Sequence, residues 1–186
     1  MKQMVSITLL TLLASTAMAG QQTEHVEQSR AAVQQFFGQL KGELQAGMKA
    51  GGPVKAIEVC SEKAPAISRD VSNKQGLQIG RTSLKTRNPS NAPDEWEESV
   101  LKEFEQRKAQ GEHPKQMEKH AIVEHNGKQV FRYMKAIPTG KLCLKCHGTD
   151  IDPAVSAKLE KLYPEDKAIG FKQGDIRGAF TIIKDI

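Results

Sequence analysis

The sequence predicts an α+β domain in which helices come first and an antiparallel sheet closes the chain. Three observations predict it: an apolar stripe with helical spacing between Gln22 and Ala50, a hairpin signal at Asn126-Gly127, and a final apolar and β-branched run from Ile176 to Ile183. The length of 186 residues suits one domain with a core of its own.

Residues 1–19 have the pattern of a secretory signal. Lys2 supplies the charged start, an apolar run follows from Val5 to Leu13, and Ala17-Met18-Ala19 is a small-x-small cleavage site. The apolar run is too short to span a bilayer, and no cysteine follows the cleavage site to carry a lipid. We therefore expect residues 20–186 to form one exported, soluble domain without stable membrane insertion, in the periplasm where the cell has two membranes.

One long helix is expected from Gln22 to Ala50. Its apolar stripe consists of Val33, Phe36, Phe37, Leu40, Leu44 and Met48, at three- and four-residue steps. The sequence Gly51-Gly52-Pro53 breaks this helix and opens a second one, because proline is tolerated in a first turn. Val54, Ile57 and Ala64 share the buried side of the second helix.

A short strand is expected where Leu77 and Ile79 alternate with polar neighbours. The polar stretch from Thr82 to Pro93 should be an ordered loop within the domain. A third helix opens at Pro93-Asp94-Glu95 and closes at Gly111. Its inward side chains are Trp96, Val100 and Phe104.

The clearest β signal runs from Ile122 to Ile137. Asn126-Gly127 is the preferred pair for a type I′ turn, so this stretch should be a hairpin. Pro138-Thr139-Gly140 ends its second strand. Asp152-Pro153 then caps a short helix, which precedes the final strand at Ile176–Ile183. The inward side chains of this short helix are expected to be Val155, Leu159 and Leu162.

The segment Cys143-Leu144-Lys145-Cys146-His147 has the Cys-x-x-Cys-His pattern. In a chain with an export signal, this pattern indicates the attachment site of a c-type haem. The two thiols add across the vinyl groups of one porphyrin, and the adjacent imidazole is left to bind the iron. The sequence thus predicts one covalent haem c, with Cys143 and Cys146 as thioether anchors and His147 as the proximal ligand.

Three other uses of this motif are less consistent with the sequence. A thioredoxin-like redox pair needs a strand-to-helix site in a βαβ context, which the predicted elements do not provide. A structural zinc site needs four ligands, whereas this segment supplies three and no second pair follows. A disulfide between Cys143 and Cys146 would leave the adjacent His147 without a role.

The ligand on the far side of the iron is open. Cys60 is left over from an odd count of three cysteines, and it shares the inward helix face of Ile57 and Ala64. That position suits an iron ligand and a small buried hydrophobe equally well. Five-coordinate iron is a further alternative, as are His25, His113, His120, His125, Met48, Met117 and Met134. A thiolate ligand would lower the reduction potential, whereas methionine would raise it.

A wider pattern covers nearly the whole mature chain. It consists of Ala56–Cys60, Arg81–Pro93, Leu142–Gly148, Tyr163–Phe171 and Gly174–Phe180. This pattern resembles a bacterial family of single-haem c-type domains with a PAS-like fold. Members of that family occur as stand-alone exported proteins and as sensory heads of signalling proteins.

The resemblance implies a PAS-like antiparallel sheet with a long N-terminal helix and flanking helices. The haem segment is inserted before the last strand. It also implies that Cys60 is an axial ligand opposite His147, which would give the iron an unusual His/Cys pair.

Two arginines are further candidates for contact with the haem. Arg81 and Arg177 could pair with its propionates, because a guanidinium forks well onto a carboxylate. The alternative for each is an ordinary exposed arginine at a strand edge. For Arg177 a pair with the nearby Asp175 is a second alternative.

The leading functional hypothesis is one-electron transfer or redox sensing by a periplasmic monohaem protein that is not an enzyme. The alternative is a gas or ligand sensor whose sixth ligand is displaced. A haem enzyme such as a peroxidase would need an open distal side with a positioned acid or base, and no such pair stands out. The net charge of +5 is interleaved with acids and does not predict nucleic-acid binding. The expected partner is a redox protein of unspecified identity, and a homodimer is possible.

Overall fold

The structure is a computed structural model that describes the backbone of residues 7–186 and the side chains from Gly20 onward. Residues 1–6 of the predicted signal peptide, and all of its side chains up to residue 19, lie outside the described residues. Among the residues that are described, no helix combines the length and the apolar character that a membrane span requires.

The N-terminal part of the chain is helical, with one break. Helix α1 extends over Ile7–Glu58 but has non-helical dihedral angles at Gly51 and Gly52, where the sequence predicted a break. Gly52 has a φ of 68°, which favours glycine over residues with a side chain. The chain continues into a π-helical turn, Val59–Lys63, and then into helix α2, Ala64–Gln75.

The remaining elements follow the predicted order. They are β1 (Gln78–Thr82), α3 (Glu95–Ala109), β2 (Glu118–His125), β3 (Lys128–Pro138), α4 (Leu144–His147), α5 (Pro153–Leu162) and β4 (Ile176–Asp185). Short 3₁₀ turns occur at Pro89–Asn91 and Pro114–Gln116. The first of these turns lies in the loop that was expected between Thr82 and Pro93.

The four strands form one antiparallel sheet in the order β1-β4-β3-β2. The hairpin turn between β2 and β3 has positive φ at Asn126 (53°) and Gly127 (77°), as a type I′ turn requires. A register shift lies between Ile137 and Pro138, just where β3 leaves the sheet. The predicted α+β class is confirmed, with the Cys-x-x-Cys-His segment inserted before the last strand.

The sheet has a separate apolar cluster on each face. Helices α1 and α2 cover one face through Val26, Ala32, Val33, Phe36, Ile67 and Val71, which meet Ile79, Phe131, Tyr133, Phe180 and Ile182. Helix α3 covers the other face through Val100, Leu101 and Phe104, which meet Met117, Met134, Ala136, Ile176 and Ala179. A third, small cluster joins Ile57 to Val155 and Leu159 of α5.

A buried arginine ties helix α3 to the sheet. Arg132 of β3 is 1% exposed and donates to Asp94 at 2.6 Å and to Glu97 at 3.0 Å. Its guanidinium also lies 4.5 Å from the centre of the Trp96 ring. The buried charge of Arg132 is therefore compensated by two carboxylates where α3 begins.

Two side chains predicted to point inward are exposed. Phe37 is 49% exposed because it follows the buried Phe36 in the helix and so lies further from the sheet-facing side. Its ring contacts the sheet edge-on at Phe180, with ring centres 6.3 Å apart. Leu162 is 38% exposed because it is the last residue of α5, beyond the contact that Leu159 makes in the third cluster.

Candidate cofactor site

The Cys-x-x-Cys-His segment forms one helical turn directly after β3. The backbone N–H groups of Cys146 and His147 both donate to the carbonyl of Cys143, at 3.2 and 2.9 Å. Residues three apart in a helix are neighbours, so this turn places the two cysteines on one side. Both thiols are free and half-buried. The turn therefore offers two thiols side by side, as attachment to a single porphyrin requires.

The imidazole of His147 is oriented by a backbone carbonyl. Its Nδ1 lies 2.7 Å from the carbonyl oxygen of Ala168. Because a carbonyl can only accept, Nδ1 carries the hydrogen and Nε2 keeps its lone pair. Burial, assisted by the positive charges of Arg177 and Arg87, lowers the pKa of His147 to about 2. The ring is thus a neutral imidazole with its Nε2 free, which is the form that binds a metal.

The loop that carries Ala168 encloses this ring. Phe171 lies edge-on to the imidazole, with ring centres 6.3 Å apart, and its backbone N–H donates to the carbonyl of His147 at 2.9 Å. Gly170 makes the same kind of bond to Gly148, also at 2.9 Å. The histidine is held by this loop at its ring and at its backbone.

Cys60 lies in the π-helical turn Val59–Lys63 and is half-buried. Burial is the largest cause of the raised pKa of Cys146, and the charge of Cys60 adds to it. The same charge raises the pKa of Tyr163, after burial, and opposes the fall that burial causes in the pKa of Arg81. Cys60 is therefore within electrostatic range of the haem motif and of one of the two predicted arginines.

Arg177 is a half-buried cation whose described hydrogen-bond partners are neutral. Its Nη1 donates to the hydroxyl of Ser83 and to the carbonyl of Lys85, both at 3.2 Å, while its buried Nε has no partner among the described residues. Burial lowers the pKa of Arg177 to about 10. The alternative of a pair with Asp175 is wrong, because Asp175 accepts from Lys108 at 2.7 Å instead.

Arg81 is also more enclosed than an edge-strand arginine need be. It lies on β1 at the edge of the sheet, half-buried, with its guanidinium 5.6 Å from the centre of the Phe36 ring. Burial lowers its pKa. Two enclosed guanidiniums, Arg81 and Arg177, thus lie near His147, and the pKa of His147 registers both charges. Such a pair fits a ligand with two carboxylates.

Comparison with known proteins identifies the family. The family model described as Tll0287-like: Tll0287 matches residues 8–184. The chain belongs to the Tll0287-like family. The crystal structure of the cyanobacterial heme-protein Tll0287 is similar at a TM-score of 0.64 and 21% identity, over 86% of this chain and 93% of that chain. At this identity the likeness shows the fold, which is PAS-like as predicted. A comparison with curated proteins found no match.

The sequence did not single out three residues of this Tll0287-like site. Ala168 orients His147, Phe171 packs on it, and Arg87 is buried beside it with a bond from Nη2 to the carbonyl of Cys146 at 2.5 Å. All three lie within stretches that carry the family resemblance, but their roles depend on contacts distant in sequence. Their spacing along the chain therefore does not predict that they contact His147 or its neighbours.

The other candidates for the sixth ligand have different surroundings in this Tll0287-like fold. Met117 and Met134 are fully buried in the cluster beneath α3. His25 and His120 both lie against Phe131, with ring centres 5.3 and 5.9 Å from it. His113 accepts from a backbone N–H of its own 3₁₀ turn, His125 lies at the hairpin turn, and Met48 is half-buried on α1.

A metal site made of protein side chains alone is not found in the described part of the chain. No three His, Cys, Asp or Glu side chains are arranged there to hold a metal ion.

Proposed function

We propose that this chain is a monohaem c-type protein, with one haem attached through Cys143 and Cys146 and its iron bound by His147. The observation that carries the proposal is the form of His147. It is a neutral imidazole that directly follows two adjacent free thiols, and a backbone carbonyl holds its Nδ1–H so that Nε2 is free to bind. The cyanobacterial protein of similar fold is a heme-protein, which supports the proposal.

Cys60 is proposed as a second protein ligand that would hold the iron. The family resemblance implies this role, and the electrostatic effect of Cys60 on Cys146 supports it. Its π-helical turn is a feature that occurs often at functional sites.

Arg81 and Arg177 are proposed to hold the haem propionates. The unpartnered Nε of Arg177 is the supporting observation, because a buried donor without an acceptor is rarely tolerated. A propionate oxygen would supply the missing acceptor. The two carboxylates of one haem would also balance these two half-buried positive charges.

The biological role is proposed to be one-electron transfer or redox sensing in the periplasm, with a redox protein as partner. When bound, the haem supplies a single iron couple. If His147 and Cys60 both held the iron, the chain itself would supply both of the ligands that a haem iron takes beyond its porphyrin, so no enzymatic activity is proposed. The signal-like residues 1–19 support export.

Covalent attachment is tested by producing the chain with its own N-terminus in cells that have a c-type haem attachment system. A haem-stained band that survives denaturing electrophoresis is expected. The control is a variant with Cys143→Ala and Cys146→Ala, which should be exported in the same amount without the stain. An exported wild-type chain that never takes the stain would contradict the proposal.

A further inference from the structure

We propose that Arg87 and Asp166 are positioning residues that hold the Ala168 carbonyl against His147 and so set how strongly His147 donates to the haem iron. The effect at the iron rests on the proposed function. The effect on the histidine itself depends only on the chain, and the two can be tested separately.

Arg87 connects the haem segment to the loop that follows α5. Its side chain is 8% exposed, and its Nε donates to Asp166 Oδ2 at 2.9 Å. Its Nη2 donates to the carbonyl of Cys146 at 2.5 Å and lies 3.4 Å from the carbonyl of Ala168. A single planar guanidinium thus joins Cys146, the residue before His147, to Ala168, whose carbonyl accepts the hydrogen bond from His147.

Asp166 fixes the same loop from its other side. Its Oδ2 accepts from Arg87, while its Oδ1 accepts from the backbone N–H of Ala168 at 2.8 Å. The carboxylate therefore holds the N–H of the very residue whose C=O meets His147. The neighbouring Lys167 donates its backbone N–H to Thr86 at 2.8 Å, which ties the loop to the segment that carries Arg87.

The loop needs this support because it has no regular structure of its own. Residues 163–175 form turns and irregular backbone between α5 and β4. Backbone hydrogen bonds hold the loop at Lys167, Gly170 and Phe171, and side-chain contacts hold the intervening Ala168, whose oxygen lies 2.7 Å from the His147 ring. Arg87 and Asp166 are the ion pair that does this, and both side chains are nearly buried, at 8% and 11% exposed.

The position of the Ala168 carbonyl decides two properties of the imidazole. It selects the tautomer with the hydrogen on Nδ1, and it makes Nε2 a stronger donor to a metal. A stronger donor stabilises ferric iron relative to ferrous iron. Weakening the hydrogen bond from His147 to the Ala168 carbonyl should therefore raise the midpoint potential of the haem-loaded protein.

The test uses two variants that leave the local charge unchanged, because a charge change would itself move the potential. Arg87→Lys keeps the charge but cannot make the three contacts of the planar fork. The double variant with Arg87→Ala and Asp166→Ala removes both charges of the pair. The matched control carries Arg107→Ala and Glu112→Ala, and so removes a different ion pair, which joins α3 to the loop after it.

The expected result is a midpoint potential above that of the wild type in both variants, with the control unchanged. A pair that merely stabilises the loop would lower the melting temperature and leave the potential where it was. That outcome overturns the proposal. If the double variant does not fold, Arg87→Lys alone decides by the same criterion.

A second measurement does not need the haem. In the full chain made without haem attachment, ¹⁵N spectra of the imidazole should show His147 with its hydrogen on Nδ1 only. The Arg87→Lys variant should show both tautomers, with the His147 signals assigned by their loss in His147→Ala. A single tautomer in Arg87→Lys overturns the inference even if the wild-type chain binds haem. Failure of the wild type to take haem would instead contradict the proposed function.

Discussion

The Nδ1 atom of His147 donates to the carbonyl oxygen of Ala168, 21 residues further along the chain, at 2.7 Å. The histidine and the two cysteines belong to one helical turn, yet the state of the histidine depends on a loop that follows α5. The Cys-x-x-Cys-His segment is therefore local in the sequence, whereas the tautomer of its imidazole is a property of the folded domain.

The role of Cys60 can be read from the spectrum of the haem-loaded protein. Cys60→Ala should change the low-spin ferric absorption spectrum and raise the midpoint potential, because it removes a thiolate that stabilises ferric iron. The matched control is Lys63→Ala, an exposed side chain on the same π-helical turn, which should leave both unchanged. An unaltered spectrum in Cys60→Ala would mean that the thiol only fills space.

Carbon monoxide distinguishes an electron carrier from a ligand sensor. If Cys60 stays on the iron after reduction, the ferrous wild type should not take up carbon monoxide, whereas ferrous Cys60→Ala should. Rapid binding by the wild type would favour a sensor whose sixth ligand is displaced. The measurement is the shift of the Soret band on exposure of the reduced protein to the gas.

The sequence predicted those features of the fold that depend on neighbouring residues. The break at Gly51 and Gly52, the Asn126-Gly127 turn and the order of helices and strands all follow from local backbone preferences. The π-helical turn at Val59–Lys63 was missed, because inserting one extra residue in a turn leaves the apolar pattern on both sides intact.

The site was predicted only in part for a related reason. A motif identifies Cys143, Cys146 and His147, since their chemistry requires fixed spacing. No spacing rule links His147 to Ala168 or Arg87 to Asp166, which are 79 residues apart. Contacts of this kind arise from the tertiary fold, and a single sequence carries no periodic signal for them.

Acid stability should depend on Glu118 of β2. Its carboxylate accepts hydrogen bonds from Arg30 of α1 and from the Tyr133 hydroxyl, the latter at 2.8 Å. These hydrogen bonds lower the pKa of Glu118 to about 2. A carboxyl whose pKa is lower in the folded state than in the unfolded state stabilises the fold at pH values above its unfolded-state pKa. For Glu118 that pKa is 4.5. This contribution should be lost as the pH falls from about 4.5 towards 2.

The Glu118→Gln variant tests this dependence. Allowing for screening at a partly exposed site, we expect it to lower the free energy of unfolding by about 1–2 kcal/mol at pH 7. The difference from the wild type should shrink at pH 3. Urea unfolding at the two pH values measures it, with Glu124→Gln, an exposed residue of the same strand, as the control. An equal difference at both pH values would mean that the ionisation of Glu118 does not stabilise the fold.

Replacement of the half-buried Arg177 should move the midpoint potential in the opposite direction to the replacement of Cys60. A positive charge near the iron favours the ferrous state, so Arg177→Gln should lower the midpoint potential by on the order of tens of millivolts. A propionate deprived of its guanidinium would also titrate more readily, and the potential should then vary more with pH. The nearby Lys172→Gln removes an exposed charge that solvent already screens and should have little effect. If Arg177→Gln behaves like Lys172→Gln, Arg177 is not a haem contact and its buried Nε must be satisfied by water or another group.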